Sequence, residues 1–261
     1  MVPFYNTAGV AGNEFLTRRG PVGILTGMKH TLFVTLAMLV LTAGVRAADQ
    51  PNSATTSAPR DTNWVKRHQG FVEIAKKGGV DVLFLGDSIT DGWREAGKEQ
   101  WETNFVPLKA ANFGIGGDRT QHVLWRLENG ELDGITPKLT VLMIGTNNLG
   151  NNTDQEIVDG IRAIIKGLYL KCPQTKLLLL GIFPRGEKVS DPARARIKHI
   201  NAGICIYDNN KTIRFLDIGQ KLLAPDGTLP KDIMPDALHP NAKGYEIWAS
   251  AILPTVKAML Q

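Results

Sequence analysis

Gly86-Asp87-Ser88 closes an apolar run, Val80 to Leu85, and Asp236-Ala237-Leu238-His239 stands before the last helical pattern of the chain. A serine, a histidine and a carboxylate are the parts that acyl transfer requires: a nucleophile, a base for its proton and a group that orients the base. Ser88 can be the first, His239 the second and Asp236, three residues earlier, the third. The reaction also needs donors for a developing oxyanion. The backbone N–H groups of Ser88 and Gly117 and the side chain of Asn147 are candidates. Glycine at 117 suits that task, because a bare backbone allows a ligand to come close.

Each piece also has a plainer reading. Gly-Asp-Ser is a common turn. Gly114-Ile115-Gly116-Gly117 can be a tight strand-to-helix turn; it lacks the G-x-G-x-x-G spacing after the first strand that dinucleotide binding requires. Gly145-Thr146-Asn147-Asn148 can be a loop of helix-capping side chains. Asp236 and His239 can be surface residues, or a metal pair without further ligands. The other histidines are poorer bases: His30 falls in an export signal, and His68, His122 and His199 fall within helical patterns. Position is what joins the four pieces.

The elements that must position them alternate. Strand candidates are Val80–Leu85, Ala110–Phe113, Leu139–Ile144, Lys176–Ile182 and Ile213–Asp217. Helical patterns lie over Asn63–Lys77, Trp93–Phe105, Thr120–Asn129, Thr153–Leu170, Pro192–Asn209 and Asn241–Leu260. Thr153 and Glu156 have capping-box spacing. Alternating strands and helices predict βαβ units, and near-continuous apolar strands predict a parallel sheet covered on both faces. The expected fold is a three-layer α/β/α sandwich of five strands. In such a sheet the loops after the strands share one edge, where ligands bind. All four pieces fall in such loops.

At 43% hydrophobic and 21% charged, the chain has the composition of a globular protein. Met28-Lys29-His30, an apolar run from Thr31 to Leu41 and the small residues near Ala47 and Ala48 describe an export signal. The run is short for a membrane span, which needs about 20 residues. We therefore expect residues 1–48 to be an N-terminal extension and signal, with Met28 the true start. Residues 49–61 read as a flexible leader and 62–261 as one domain, exported and not stably inserted in a membrane. Cleavage after Ala47 removes Arg18, Arg19, Lys29 and Arg46 but only Glu14, so the net charge falls from +5 to +2. No long basic run remains, and nucleic acid is not an expected partner. Cys172 and Cys205, the two cysteines, read as buried thiols.

Gly86-Asp87-Ser88, Gly116-Gly117, Gly145-Thr146-Asn147-Asn148 and Asp236-Ala237-Leu238-His239 resemble the four blocks of the SGNH, or GDSL, hydrolase superfamily. The stretch from Asn112 to Leu132, with Gly181-Ile182-Phe183-Pro184-Arg185-Gly186, is similar to the catalytic subunits of the intracellular platelet-activating-factor acetylhydrolases. The likeness runs from about Val80 to Leu260. It implies a flavodoxin-like sheet and a serine esterase without metal or organic cofactor. By motif, Ser88 is then the nucleophile, Gly117 and Asn147 oxyanion donors, and Asp236 and His239 the rest of the triad. It also implies an acyl pocket of Ile89, Thr146 and Leu238, whose bulk favours acetyl over long chains. The similar subunits form dimers, which leaves a homodimer open here, since that surface does not carry over by motif. One departure is visible: many superfamily members carry Asp where this chain has Asn148, which bears on the hydrogen bonding behind Asn147. An α/β-hydrolase is the poorer reading, since no Gly-x-Ser-x-Gly elbow follows a strand.

The expected activity is hydrolysis of a short acyl ester on a glycan or small lipid. A longer-chain lipase is the enzymatic alternative, and a glycan-binding module on the same fold is the non-catalytic one. Trp64, Trp93, Trp101, Trp125 and Trp248 offer either sugar-stacking faces or core packing.

Overall fold

Residues 51–261 are described by a computed structural model. The expected extension and export signal, 1–48, lie outside the described residues. Five strands, β1 (Val82–Gly86), β2 (Ala110–Gly114), β3 (Leu139–Met143), β4 (Lys176–Leu180) and β5 (Ile213–Leu216), form one sheet. Their order is β2-β1-β3-β4-β5, and every neighbouring pair is parallel. The α/β class and the flavodoxin-like order expected from the sequence are both present.

Seven α-helices accompany the strands among the described residues: α1 (Thr62–Lys77), α2 (Ser88–Asp91), α3 (Lys98–Asn104), α4 (Thr120–Glu128), α5 (Asp154–Lys171), α6 (Pro192–Ile204) and α7 (Ala242–Leu260). Side chains along a strand point alternately to opposite faces. Leu83 and Leu85 therefore enter a core with Phe71 of α1, Val123 of α4, Ile161 of α5 and Ile200 of α6. Val82 and Phe84 enter the opposite core, with Trp93, Phe105 and, from α7, Trp248 and Ile252. All five β1 residues are buried, which is why that segment reads as an unbroken apolar run.

Local caps fix where the helices start. Asp61 accepts hydrogen bonds from the N–H groups of Asn63 and Trp64 at 2.9 and 3.1 Å. The capping box of α5 is formed: Thr153 N–H donates to Glu156 Oε2 at 2.7 Å, and Glu156 N–H to Thr153 Oγ1 at 3.2 Å.

Three expectations are corrected. The helix expected over Trp93–Phe105 is split into a 3₁₀ turn, Gly92–Arg94, and α3. The N–H groups of Glu95 and Gly97 both return to the Gly92 carbonyl, which closes the first turn and ends it. The leader 49–61 is not free chain over its described part. Ala54 is fully buried, Thr120 Oγ1 donates to its carbonyl at 2.8 Å, and Asn152 Nδ2 donates to Ser53 Oγ at 2.8 Å. Cys172 is buried as expected but Cys205 is exposed, and both are free thiols. Of the two readings of the tryptophans, core packing holds for Trp93 and Trp248, fully buried, and for Trp64, nearly so. Among the described residues no helix is long and apolar enough to cross a membrane.

The chain runs from β1 out to β2 through α3 on one face, then crosses back to β3 through α4 on the other, so the strand order reverses between β1 and β3. A crevice opens at such a reversal, outside the carboxyl ends of the strands. β1 delivers Ser88 to that edge, β2 delivers Gly117 and β3 delivers Asn147.

Candidate active site

The turn from β1 into α2 is tight. A methyl group on Gly86 would stand 2.1 Å from Thr90 Oγ1 and 2.5 Å from the Met143 carbonyl, so no side chain fits there. Asp87 caps α2, accepting the Ile89 N–H at 3.0 Å, and places Ser88 as the first helical residue, half-buried at the sheet edge. The Ser88 N–H is a first-turn group without an intrahelical acceptor.

Ser88 Oγ lies 2.9 Å from His239 Nε2, and His239 Nδ1 lies 2.6 Å from Asp236 Oδ2. Asp236 Oδ1 also accepts the N–H groups of Leu238 and His239 at 3.0 and 2.7 Å. Ala237, between them, has φ of 56°, a left-handed conformation that L-residues rarely adopt. It turns the Asp and the His of this loop toward each other. Burial opposes ionisation of Asp236. The hydrogen bonds from the His239 N–H, the imidazole and the Leu238 N–H outweigh it, and the carboxyl sits below its ordinary value. An anionic Asp236 fixes the tautomer with hydrogen on Nδ1. Nε2 is left free to accept the Ser88 hydroxyl proton.

Gly117 has φ of 78°, and its N–H has no hydrogen-bond partner among the described residues. Asn147 Nδ2 spends one hydrogen on the Asp118 carbonyl at 2.9 Å and keeps the other. The expected oxyanion donors thus come from three loops on one edge. Of the expected acyl-pocket residues, Ile89 and Thr146 are 1% and 2% exposed. Leu238 is half-buried and offers the open surface of the three. A cavity of about 580 Å³ beside α6, lined by Ile182, Ile197, Phe215 and Leu223, includes none of the triad residues.

The Asn148 departure has a physical basis. Its Oδ1 accepts the Thr120 N–H at 3.0 Å, while Nδ2 faces Asn152 Oδ1 at 3.0 Å and Gln121 Oε1 at 3.1 Å. A carboxylate has no hydrogen for those two acceptors. Two of the other histidines, His68 and His122, are disfavoured as bases. Burial lowers His68, and burial with Arg60, Arg119 and Arg126 nearby pushes His122 down to about 4.

The sequence reading missed the charged layer under the glycine loop. Asp118, fully buried, accepts Trp64 Nε1 at 2.6 Å and pairs with Arg60 at 3.2 Å and Arg126 at 3.1 Å. Arg126 also meets Glu131, and both are fully buried. The only local signal was a run of polar residues, Asp118-Arg119-Thr120-Gln121, inside an apolar-periodic region. Burial pushes Asp87 up to about 7, with the Ile89 N–H opposing and the Asp118 charge adding to the rise. A carboxyl raised by folding holds its proton when the unfolded chain releases it, so stability falls as pH rises from about 4 to about 7. Asp87→Asn is expected to flatten that slope: thermal melts should match wild type at pH 4 and exceed it increasingly toward pH 7. A constant offset would show that Asp87 does not titrate in this range.

A parallel α/β sheet with a serine, a histidine and a carboxylate joined by hydrogen bonds at its carboxyl edge defines the hydrolase class of SGNH architecture. The family model for the GDSL-like lipase/acylhydrolase family matches residues 84–247, and the chain belongs to that family. It is 41% identical over 186 residues to platelet-activating factor acetylhydrolase IB subunit alpha2 of Rattus norvegicus, covering 71% of this chain and 80% of the relative. Subunit alpha1 of Homo sapiens is 39% identical, with 71% and 79% covered. Among solved structures, a GDSL-like lipase of Bacteroides thetaiotaomicron superposes with a TM-score of 0.60 at 21% identity, over 75% of this chain and 96% of that one. An acetyl xylan esterase superposes with a TM-score of 0.57 at 23% identity, over 67% and 98%. These two likenesses bear on the fold alone.

Proposed function

We propose that the protein is a serine esterase that removes short acyl groups, acetyl first among them, from a glycan or small lipid. The observation that carries this reading is the continuous chain from Ser88 Oγ through His239 to Asp236, at 2.9 and 2.6 Å. Ser88 Oγ attacks the ester carbonyl while its proton passes to His239 Nε2. Asp236 stabilises the imidazolium that forms. The N–H groups of Ser88 and Gly117 and the amide of Asn147 receive the oxyanion. The carbon–oxygen bond to the alcohol then breaks, and His239 returns the proton to the leaving oxygen. Water, deprotonated by His239, attacks the acyl-serine and the acid departs as Ser88 regains its hydrogen.

Two things support a short acyl group. Ile89, next to Ser88, and Thr146, next to Asn147, are closed to solvent, and relatives at about 40% identity are named acetylhydrolases. Export, as the sequence predicts, would meet acetylated glycans outside the cell. A series of p-nitrophenyl esters tests acyl length: acetate is expected to give the highest kcat/KM, falling at least tenfold by octanoate, since added methylenes find no pocket. A preference for octanoate would favour the longer-chain lipase.

A further inference from the structure

The Gly117 N–H is one end of the peptide that joins Gly116 to Gly117, and the Gly116 carbonyl is the other. In a trans peptide the two groups point in opposite directions. The Gly116 carbonyl accepts Arg60 Nη1 at 2.6 Å, and the same nitrogen pairs with Asp118 Oδ1 at 3.2 Å. A methyl group built on Gly117 would stand 3.2 Å from Arg60 Nη1 and Nη2, whereas one built on Gly116 would lie 3.8 Å from Ser88 Cβ. The glycine loop is therefore held between the Arg60 guanidinium and Ser88.

We propose that Arg60 is a positioning residue for ester hydrolysis: its guanidinium holds the Gly116–Gly117 peptide with the N–H toward the oxyanion and polarises that N–H. The inference rests on the esterase reading above. Two adjacent glycines leave a peptide with few steric reasons to keep one orientation. A charge-assisted hydrogen bond to the carbonyl supplies one. It also draws electron density toward the Gly116 oxygen, which strengthens donation from the opposite end of the same peptide. Asp118 pairs with both Arg60 and Arg126, and Glu131 gives Arg126 a second carboxylate.

The segment that carries Arg60 is built to place it. Ala54 is buried, Thr120 Oγ1 donates to its carbonyl, and the Ala58 N–H donates to the Gln121 carbonyl at 3.3 Å. Asn152 Nδ2 reaches Ser53 Oγ. Residues 52–60 thereby tie together the loop that carries Gly117 and the loop that carries Asn147. Asp61 then starts α1 and fixes the chain beyond Arg60.

The test compares Arg60→Ala and Arg60→Lys in the full chain, with p-nitrophenyl acetate as substrate. Arg60→Ala is expected to lower kcat about ten- to a hundredfold, less than loss of an oxyanion donor itself, with KM within about twofold. Arg60→Lys should recover part of the loss, since an ammonium still donates to the carbonyl. The Arg60 side chain is 30% exposed, so its site is open to small solutes. Millimolar guanidinium is therefore expected to restore Arg60→Ala in part and leave wild type unchanged. Wild-type kcat in Arg60→Ala would overturn the proposal while leaving the esterase reading intact. So would a loss that follows a lowered melting temperature and answers neither to lysine nor to guanidinium. A wild-type chain without any aryl-acetate hydrolysis would sink both.

Discussion

Alanine at Ser88 is expected to lower kcat on p-nitrophenyl acetate by about 10⁵–10⁶, and alanine at His239 by nearly as much. The two side chains act as one unit, because the hydroxyl is a weak nucleophile until Nε2, 2.9 Å away, takes its proton. The double variant should therefore be no slower than the worse single one. Both folds should survive. Ser88 begins a four-residue helix whose cap is Asp87, and His239 is 43% exposed at its side chain. Steady-state kinetics with a melting curve for each variant checks the expectation. Losses that multiplied in the double variant would mean that the two residues act independently.

Asn147→Ala is expected to cost about 10²–10³ in kcat with little change in KM, the usual consequence of removing one oxyanion donor. The side chain also donates to the Asp118 carbonyl at 2.9 Å, so a purely structural effect must be separated. Asn147→Asp keeps the shape but replaces the free hydrogen with negative charge facing the oxyanion. It should be at least as slow as the alanine variant. Wild-type turnover in Asn147→Ala would remove Asn147 from the oxyanion hole.

The parts of the fold visible in the sequence are those set by local pattern. Val82–Leu85 and Leu177–Leu180 are apolar at every position because both faces of the sheet are covered, and that composition survives in the bare sequence. Thr153 and Glu156 announce the start of α5 by their spacing alone. Ser88, Gly117, Asn147 and the Asp236–His239 pair could be gathered because each follows a strand, and parallel strands end on one edge. What stayed hidden depends on contacts distant in sequence. Residues 52–60 have a composition common to linkers, and the groups that bind them, among them the Thr120 and Asn152 side chains and the Gln121 carbonyl, are remote in the chain. Arg126 sits in an amphipathic helix where an arginine ordinarily faces water. Its burial follows from Asp118 and Glu131, which no helical period reveals. The break between Arg94 and Lys98 likewise follows from hydrogen bonds closing on Gly92 rather than from a proline.

Reaction with a serine-directed fluorophosphonate, followed by intact-mass measurement and peptide mapping, tests the role of Ser88 most directly. One phosphonyl group per chain is expected, on the peptide that contains Ser88. It should be absent in Ser88→Ala and formed far more slowly in His239→Ala. An adduct on another residue, or aryl-acetate hydrolysis that persists in Ser88→Ala, would contradict Ser88 as the nucleophile.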